Sequence, residues 1–300
     1  MLEHLNNSAL DPARVVILGA RGFVGAAAER LLRARSVSVL SLGRAELDLL
    51  SGDAADRLVR ELRADDSLLV ISARAPVKDV AMLVENVRMM ENICMALASA
   101  SLRHVVYVSS DAVYRDSKAP LTEQSCAEPA SLHGAMHLTR ELILSSIVSA
   151  PFAILRPSLL YGATDPHNGY GPNRFRRLAA AGQEIVLFGE GEERRDHVLI
   201  DDVAELIWRV LAHRSRGTLN VATGEVWSFR EIAERIAGMA VPAVAVRGSP
   251  RSGPVPHGGY RAFDIAACRT AFPDFRYVNL EEGLSKVGLV GNSPRKSTGV

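Results

Sequence analysis

Apolar residues along this chain follow two rhythms. Short runs such as "RVVIL", "SVSVLSL", "SLLVIS", "HVVYVSS" and "FAILRPS" are β-branched and apolar at most positions. Between them, "AAAERLLRA", "AADRLVRELRA" and a long stretch from Val80 to about Ser99 carry apolar residues three and four apart. The first pattern predicts strands buried on both faces, the second helices with one buried stripe. Their alternation predicts an α/β fold, a doubly wound parallel sheet with helices on both sides.

After Tyr161 the rhythm breaks at "GATDPHNGYGPN", a stretch rich in Gly, Pro and Asn. The later signals "IVLFGEG", "TLNVAT" and "SFREIAERIAG" are shorter and more scattered. They predict a smaller C-terminal portion, some of whose elements return to the main sheet. "VRGSPRSGPVPHGG" reads as loop and as a candidate segment covering a substrate.

Composition narrows the partners. The 300 residues are 48% hydrophobic and 23% charged, with a formal net charge of +1. That balance gives no field favouring nucleic acid or a membrane surface, and no run approaches the roughly 18 apolar residues of a membrane span. The N-terminal "MLEHLNNSALDP" lacks a signal peptide's apolar core. Three scattered cysteines, Cys94, Cys126 and Cys268, suit reduced thiols in a cytoplasmic protein.

"GARGFVG" sets Gly19, Gly22 and Gly25 between the first strand and its helix. Glycine there permits a tight turn, close approach of a pyrophosphate and close helix–strand packing, and the helix N-terminus supplies amide donors. A GxxGxxG pattern in this context predicts a Rossmann-type dinucleotide site. The expected layout is a dinucleotide-binding domain over residues 1–160, a mainly substrate-binding domain over 161–290, and a flexible tail over 291–300. The second strand ends "LSLGRAELDLL", with no acid before Arg44 to hold a ribose 2′-hydroxyl. Arg44, with Arg21 inside the turn, can instead pair with a 2′-phosphate, which favours NADP, with NAD as the alternative.

"LHGAMHLTRE" places His133 and His137 four residues apart on one helix face. Two imidazoles so placed can grip a metal, pack as inert rings, or stand where a catalytic pair belongs. Zinc needs three or four protein ligands, and this HxxxH lacks the glutamate of HExxH, so no metal is expected.

Several motifs in order, covering about Arg14 to Pro273, resemble the extended short-chain dehydrogenase/reductase family of nucleotide-sugar epimerases, dehydratases and reductases. "VYVSSDAVY" is similar to its serine strand, with Ser110 matching the catalytic serine or threonine. "LRPSLLYG" resembles the following strand, and "IVLFGEGEERRDHVLIDDVAELI" its "fGdG…RDfvhvdDva" segment. "GARGFVG" with "GRAELDLL" looks most like the NADP-using GDP-sugar reductases. The resemblance implies cofactor contacts at Phe23, Val24, Asp48, Leu49, Ser72, Ala73 and Pro157, besides the glycines and the two arginines. It also implies that Arg195 meets a substrate diphosphate, that the substrate is a nucleotide sugar, and that the chain forms a homodimer.

The family carries Tyr-x-x-x-Lys on the helix before the fifth strand, and here "PASLHGAMHLTRE" puts His133 at the tyrosine and His137 at the lysine. Pro129, Gly134 and Glu141 keep the frame. "YRDSK", Tyr114 to Lys118, satisfies the same spacing but lies in a turn just after Ser110. A phenol titrates near ~10 and needs a neighbouring cation to act as a base, whereas imidazole titrates near ~6.5 unaided. His133 can therefore serve as a base, but His137 lacks lysine's reach and fixed charge. Three readings stay open: a retooled NAD(P)-dependent oxidoreductase or epimerase, a silent NAD(P)- or nucleotide-sugar-binding protein, and a non-redox lyase or isomerase using His133.

Overall fold

A computed structural model describes residues 2–166, 168–251 and 253–289; the expected tail at 291–300 lies outside them. The chain opens with β1 (Arg14–Leu18), α1 (Phe23–Ala34), β2 (Val39–Leu42), α2 (Ala54–Glu61), β3 (Asp66–Val70), α3 (Val80–Ser99), β4 (His104–Val108), α4 (Leu132–Ile147) and β5 (Phe152–Pro157). It continues with β6 (Leu159–Tyr161), α5 (Pro172–Ala180), β7 (Ile185–Phe188), β8 (Arg194–Arg195), β9 (His197–Leu199), α6 (Ile200–Ala212) and β10 (Gly217–Val221). The remainder is β11 (Trp227–Ser228), α7 (Phe229–Gly238), β12 (Val246–Ser249), β13 (Tyr260–Arg261), α8 (Ala266–Ala271) and α9 (Leu280–Val287).

Six strands form one sheet in the order β10-β5-β4-β3-β1-β2, every pairing parallel. Successive residues of a strand face opposite sides, and both sides are apolar here. Val15, Ile17, Leu69 and Val106 pack beneath α1 and α6, while Val16, Leu18, Leu68 and Val105 pack against α2, α3 and α4. That two-sided burial is why the strands read as continuous apolar runs. α6 and β10 come from the C-terminal half of the chain, yet α6 lies on α1 and β10 pairs with β5.

A separate apolar cluster, including Tyr161, Phe175, Leu187, Phe229 and Ile232, holds the smaller C-terminal part. One expectation is corrected here. Val246–Ser249, read as loop, is a strand paired in parallel with β7. The edge of β7 offers it backbone partners, a long-range pairing that local glycine and proline content does not announce.

The strand order reverses between β1 and β3, so the crossovers leave in opposite directions and open a crevice at their carboxyl ends.

Candidate functional site

The turn after β1 enters that crevice. Gly19 has φ +91°, and a Cβ there would lie 2.6 Å from the Ser72 backbone nitrogen. A Cβ on Gly25 would lie 2.2 Å from the Gly19 carbonyl oxygen. Both positions therefore demand glycine. Gly22, at φ −75°, is the α1 N-cap and is sterically freer, with a Cβ clearance of 3.4 Å. No side chain caps α1 and its first turn carries no acid. Its leading amides are thus available to an anion.

A cavity of about 1160 Å³ runs from this turn across the crevice into the C-terminal part. At its β2 end it is lined by Arg21, Gly22, Phe23, Val24, Arg44, Asp48 and Leu49, and beyond β3 by Ser72 and Ala73. Ser110, His133, His137 and Pro157 line its middle, and Arg195, His197 and His257 its far part. Gly25 packs behind the turn, and every other residue expected at the site faces this one cavity. The Ser72 Oγ is buried beside the turn without a hydrogen-bond partner among the described residues. Together with the glycine cradle and the free helix amides, this fits a bound dinucleotide.

Neither arginine at the β2 end is free. Arg21 donates to Glu46 Oε1 at 2.9 Å, and Arg44 to Asp48 Oδ2 at 3.3 Å. Glu46 Oε2 also accepts from the Gly43 amide at 2.9 Å. These are exposed pairs, so the arginines are partly neutralised but easily released.

α4 carries the two histidines into the middle. Ser131 caps it, its Oγ accepting from the Gly134 amide at 3.1 Å. A Cβ at Gly134 would lie 2.0 Å from the Ala112 carbonyl, so glycine lets the helix press against the turn following Ser110. Ser110 Oγ in turn accepts from the Ala112 amide at 3.1 Å. His133 and His137 meet edge to face, their ring centroids 4.8 Å apart. His137 Nδ1 lies 2.8 Å from the Tyr107 hydroxyl oxygen. Burial, then His133 and Arg140, hold His137 well below the ordinary imidazole range, and burial lowers His133 against the opposing pull of Asp111. Both rings are neutral near pH 7. The buried His133 Nδ1 has no hydrogen-bond partner among the described residues, so no bond at that nitrogen fixes the tautomer.

Tyr114 is committed elsewhere: its hydroxyl donates to Asn220 Oδ1 at 2.7 Å and accepts from Arg156 Nη1 at 2.9 Å. Arg156 also holds Glu141 through two bonds of 2.9 and 2.5 Å, and Glu141 accepts from Ser109 Oγ at 2.5 Å. This buried network ties β4, α4 and β5 together beneath the site. Arg195 is buried between Glu193 at 3.1 Å and Asp111 at 3.7 Å. Among the described residues no group of three or more His, Cys, Asp or Glu side chains is placed to hold a metal ion.

The motifs did not reveal Glu46, Tyr107, Asp116, His197 or His257. Each lay inside a quoted stretch without a role of its own, His257 in the segment read as covering a substrate. Asp116 and His257 are 141 positions apart, and their meeting has no local sign.

Comparison with known proteins places the chain in a family and matches its fold. The profile of the NAD dependent epimerase/dehydratase family matches residues 15–222. The chain is 28% identical to UDP-glucose 4-epimerase of Mycolicibacterium smegmatis, covering 91% of this chain and 96% of that one. It is 30% identical to a putative GDP-L-fucose synthase 2 of Oryza sativa subsp. japonica, covering 76% and 73%. Among solved structures, the Thermus thermophilus UDP-glucose 4-epimerase complex with NAD superposes with TM-score 0.80 at 24% identity, covering 92% and 97%. A GDP-L-fucose synthetase from Naegleria fowleri bound to NADP gives 0.79 at 17%, covering 95% of each chain.

Proposed function

Because the chain belongs to the NAD-dependent epimerase/dehydratase family, we propose that it is an NAD(P)-dependent oxidoreductase or epimerase of a nucleotide sugar in which imidazole replaces the tyrosine and lysine. One observation carries this reading: Ser110, His133 and His137 face the same cavity as the glycine turn. Bound against that turn, NAD(P) supplies the hydride acceptor or donor. Ser110 and His133 then hold the reacting hydroxyl, and a neutral imidazole accepts its proton. His137, pinned from behind by Tyr107, faces the nicotinamide half and offers a neutral contact where lysine would offer a charge. Arg195 takes the substrate diphosphate.

NADP is the proposed preference, on the strength of Arg21 and Arg44, although Glu46 and Asp48 weaken it. A homodimer through α3 and α4 is supported by the exposed apolar side chains Val84, Met95 and Leu142. No helix among the described residues is long and apolar enough to cross a membrane. The three unpaired cysteines support a cytoplasmic location.

Calorimetry with NADPH and NADH, followed by turnover of UDP-glucose, GDP-mannose and their 4-keto derivatives, tests the reading. Binding of neither dinucleotide would end it. A second reading, a binding protein without turnover, is favoured by the unfixed tautomer of His133. Saturable binding of cofactor and sugar nucleotide with no turnover would establish it.

A further inference from the structure

Arg140 lies on α4, three residues after His137, and is 0% exposed. Its Nη2 donates to the Ser72 carbonyl at 2.7 Å, and Nη1 donates weakly to Met136 Sδ at 3.9 Å. Its Nε is buried without a hydrogen-bond partner among the described residues. The guanidinium carbon stands 5.3 Å from the centre of the Tyr107 ring. Two acids beside it stay protonated, since burial pushes the Cys94 thiol up to about 11 and the Tyr107 phenol up to about 12. Glu141, the next residue, is taken by Arg156 and Ser109. Among the described residues, then, only neutral groups hold this cation. A buried charge so placed is costly unless something else uses it.

We propose that Arg140 is a positioning residue for the dinucleotide: it fixes and polarises the Ser72–Ala73 peptide so that the Ala73 amide donates to the pyrophosphate. This rests on the cofactor reading above. A trans peptide is planar, and its N–H points opposite to its C=O. With the Ser72 carbonyl drawn to α4, the Ala73 N–H is directed away from α4. The Ser72 backbone lies against the glycine turn, where a Cβ on Gly19 would meet its nitrogen at 2.6 Å. The peptide thus stands between the guanidinium and the turn that cradles the phosphates.

The segment is anchored at both ends. Before it, the Ser72 amide donates to the Leu18 carbonyl at 2.8 Å. After it, the Arg74 amide donates to Asn86 Oδ1 at 3.0 Å, and the Arg74 carbonyl accepts from Asn86 Nδ2 at 3.0 Å. Asn86 is itself fully buried on α3. Between these anchors the Ala73 amide has no hydrogen-bond partner among the described residues, and Ala73 lines the cavity. A donor held rigidly and left open needs no reorganisation when an anion arrives. The full charge on the far side of the peptide strengthens the bond that it then makes.

Arg140 does not reach the cavity wall, so it acts through the peptide and through its field, which water screens little in the interior. Both effects favour the pyrophosphate, which NADP and NAD share. Arg140 therefore adds affinity for either dinucleotide, and preference between them is left to Arg21 and Arg44.

Calorimetry with NADPH, NADH and ADP-ribose tests this, since ADP-ribose keeps the pyrophosphate and lacks the nicotinamide. Arg140→Met should weaken all three roughly tenfold and leave the ratio of NADPH to NADH affinity unchanged. Arg140→Lys, which keeps the charge, should recover most of the loss. Ala73→Pro deletes the amide hydrogen and leaves Arg140 in place. It should weaken ADP-ribose by a similar factor, and Arg140→Met added to it should weaken binding little further, because the two act as one unit. In nitrogen-15-labelled wild type, ADP-ribose should move the Ala73 amide proton downfield, a shift that Arg140→Met should reduce. ADP-ribose affinity within about twofold of wild type in Arg140→Met overturns the inference and leaves the cofactor reading standing. Should that variant not fold, the same result in Ala73→Pro overturns it, as does an Ala73 amide that ADP-ribose leaves unmoved. Wild type that binds none of the three ligands ends both.

Discussion

The Tyr107 hydroxyl oxygen stands 2.8 Å from Nδ1 of His137, joining the centre of the sheet to the helix that carries His133 and His137. Both groups are buried, and burial pushes the phenol up to about 12 while it keeps the imidazole neutral. The contact is thus a neutral hydrogen bond that fixes the ring against the sheet. Tyr107→Phe leaves Nδ1 unpaired in the interior and should cost about 1–3 kcal/mol. Urea unfolding measures the loss, and weaker NADPH binding by calorimetry should accompany it.

Under the proposed NADP preference, the Glu46 carboxylate that accepts from Arg21 competes with the 2′-phosphate for that guanidinium. Glu46→Gln removes the opposing charge and frees the guanidinium, so NADPH affinity should rise several-fold while NADH affinity stays nearly constant. Titration of both cofactors against both proteins reads the ratio. An unchanged ratio would place the 2′ position away from Arg21.

The Glu141–Arg156 pair is buried with side chains 4% and 9% exposed. Breaking a buried pair strands the remaining charge, so Glu141→Gln should cost about 3–5 kcal/mol. Glu141→Gln combined with Arg156→Met removes both charges and should recover part of that loss. A double variant no more stable than the single one would show that the pair's charges are not what the network depends on.

Asp202, in the first turn of α6, is raised to about 7 by burial, against the Val278 amide it accepts from at 2.9 Å. An unfolded aspartate titrates near ~3.9, so between about pH 4 and 7 the folded protein holds a proton that the unfolded chain has released. This contribution to stability is complete below pH 4 and lost as pH rises through 7, at up to about 1.4 kcal/mol per pH unit. Asp202→Asn keeps the acceptor and removes the titration. Its melting temperature relative to wild type should climb from pH 4.5 to pH 8, and a constant difference would contradict the assignment.

The central sheet was legible in the sequence because two-sided burial and one-sided helix stripes are local patterns, written in consecutive residues. The glycine turn was legible for the same reason, and the structure adds that Gly19 and Gly25 are sterically compulsory while Gly22 is less so. That His133 and His137 share one face of a helix was legible from their spacing of four. Tertiary structure alone decided the rest. Val246–Ser249 became a strand because β7 offers it an edge. The two arginines at the cofactor end proved to be held by Glu46 and Asp48, and Tyr114 proved to be locked to Arg156 and Asn220. Above all, the Asp116–His257 pair is assembled from segments 141 residues apart. The hydrogen bond depends on a distance of a few ångströms in space, and separation along the chain carries no record of it.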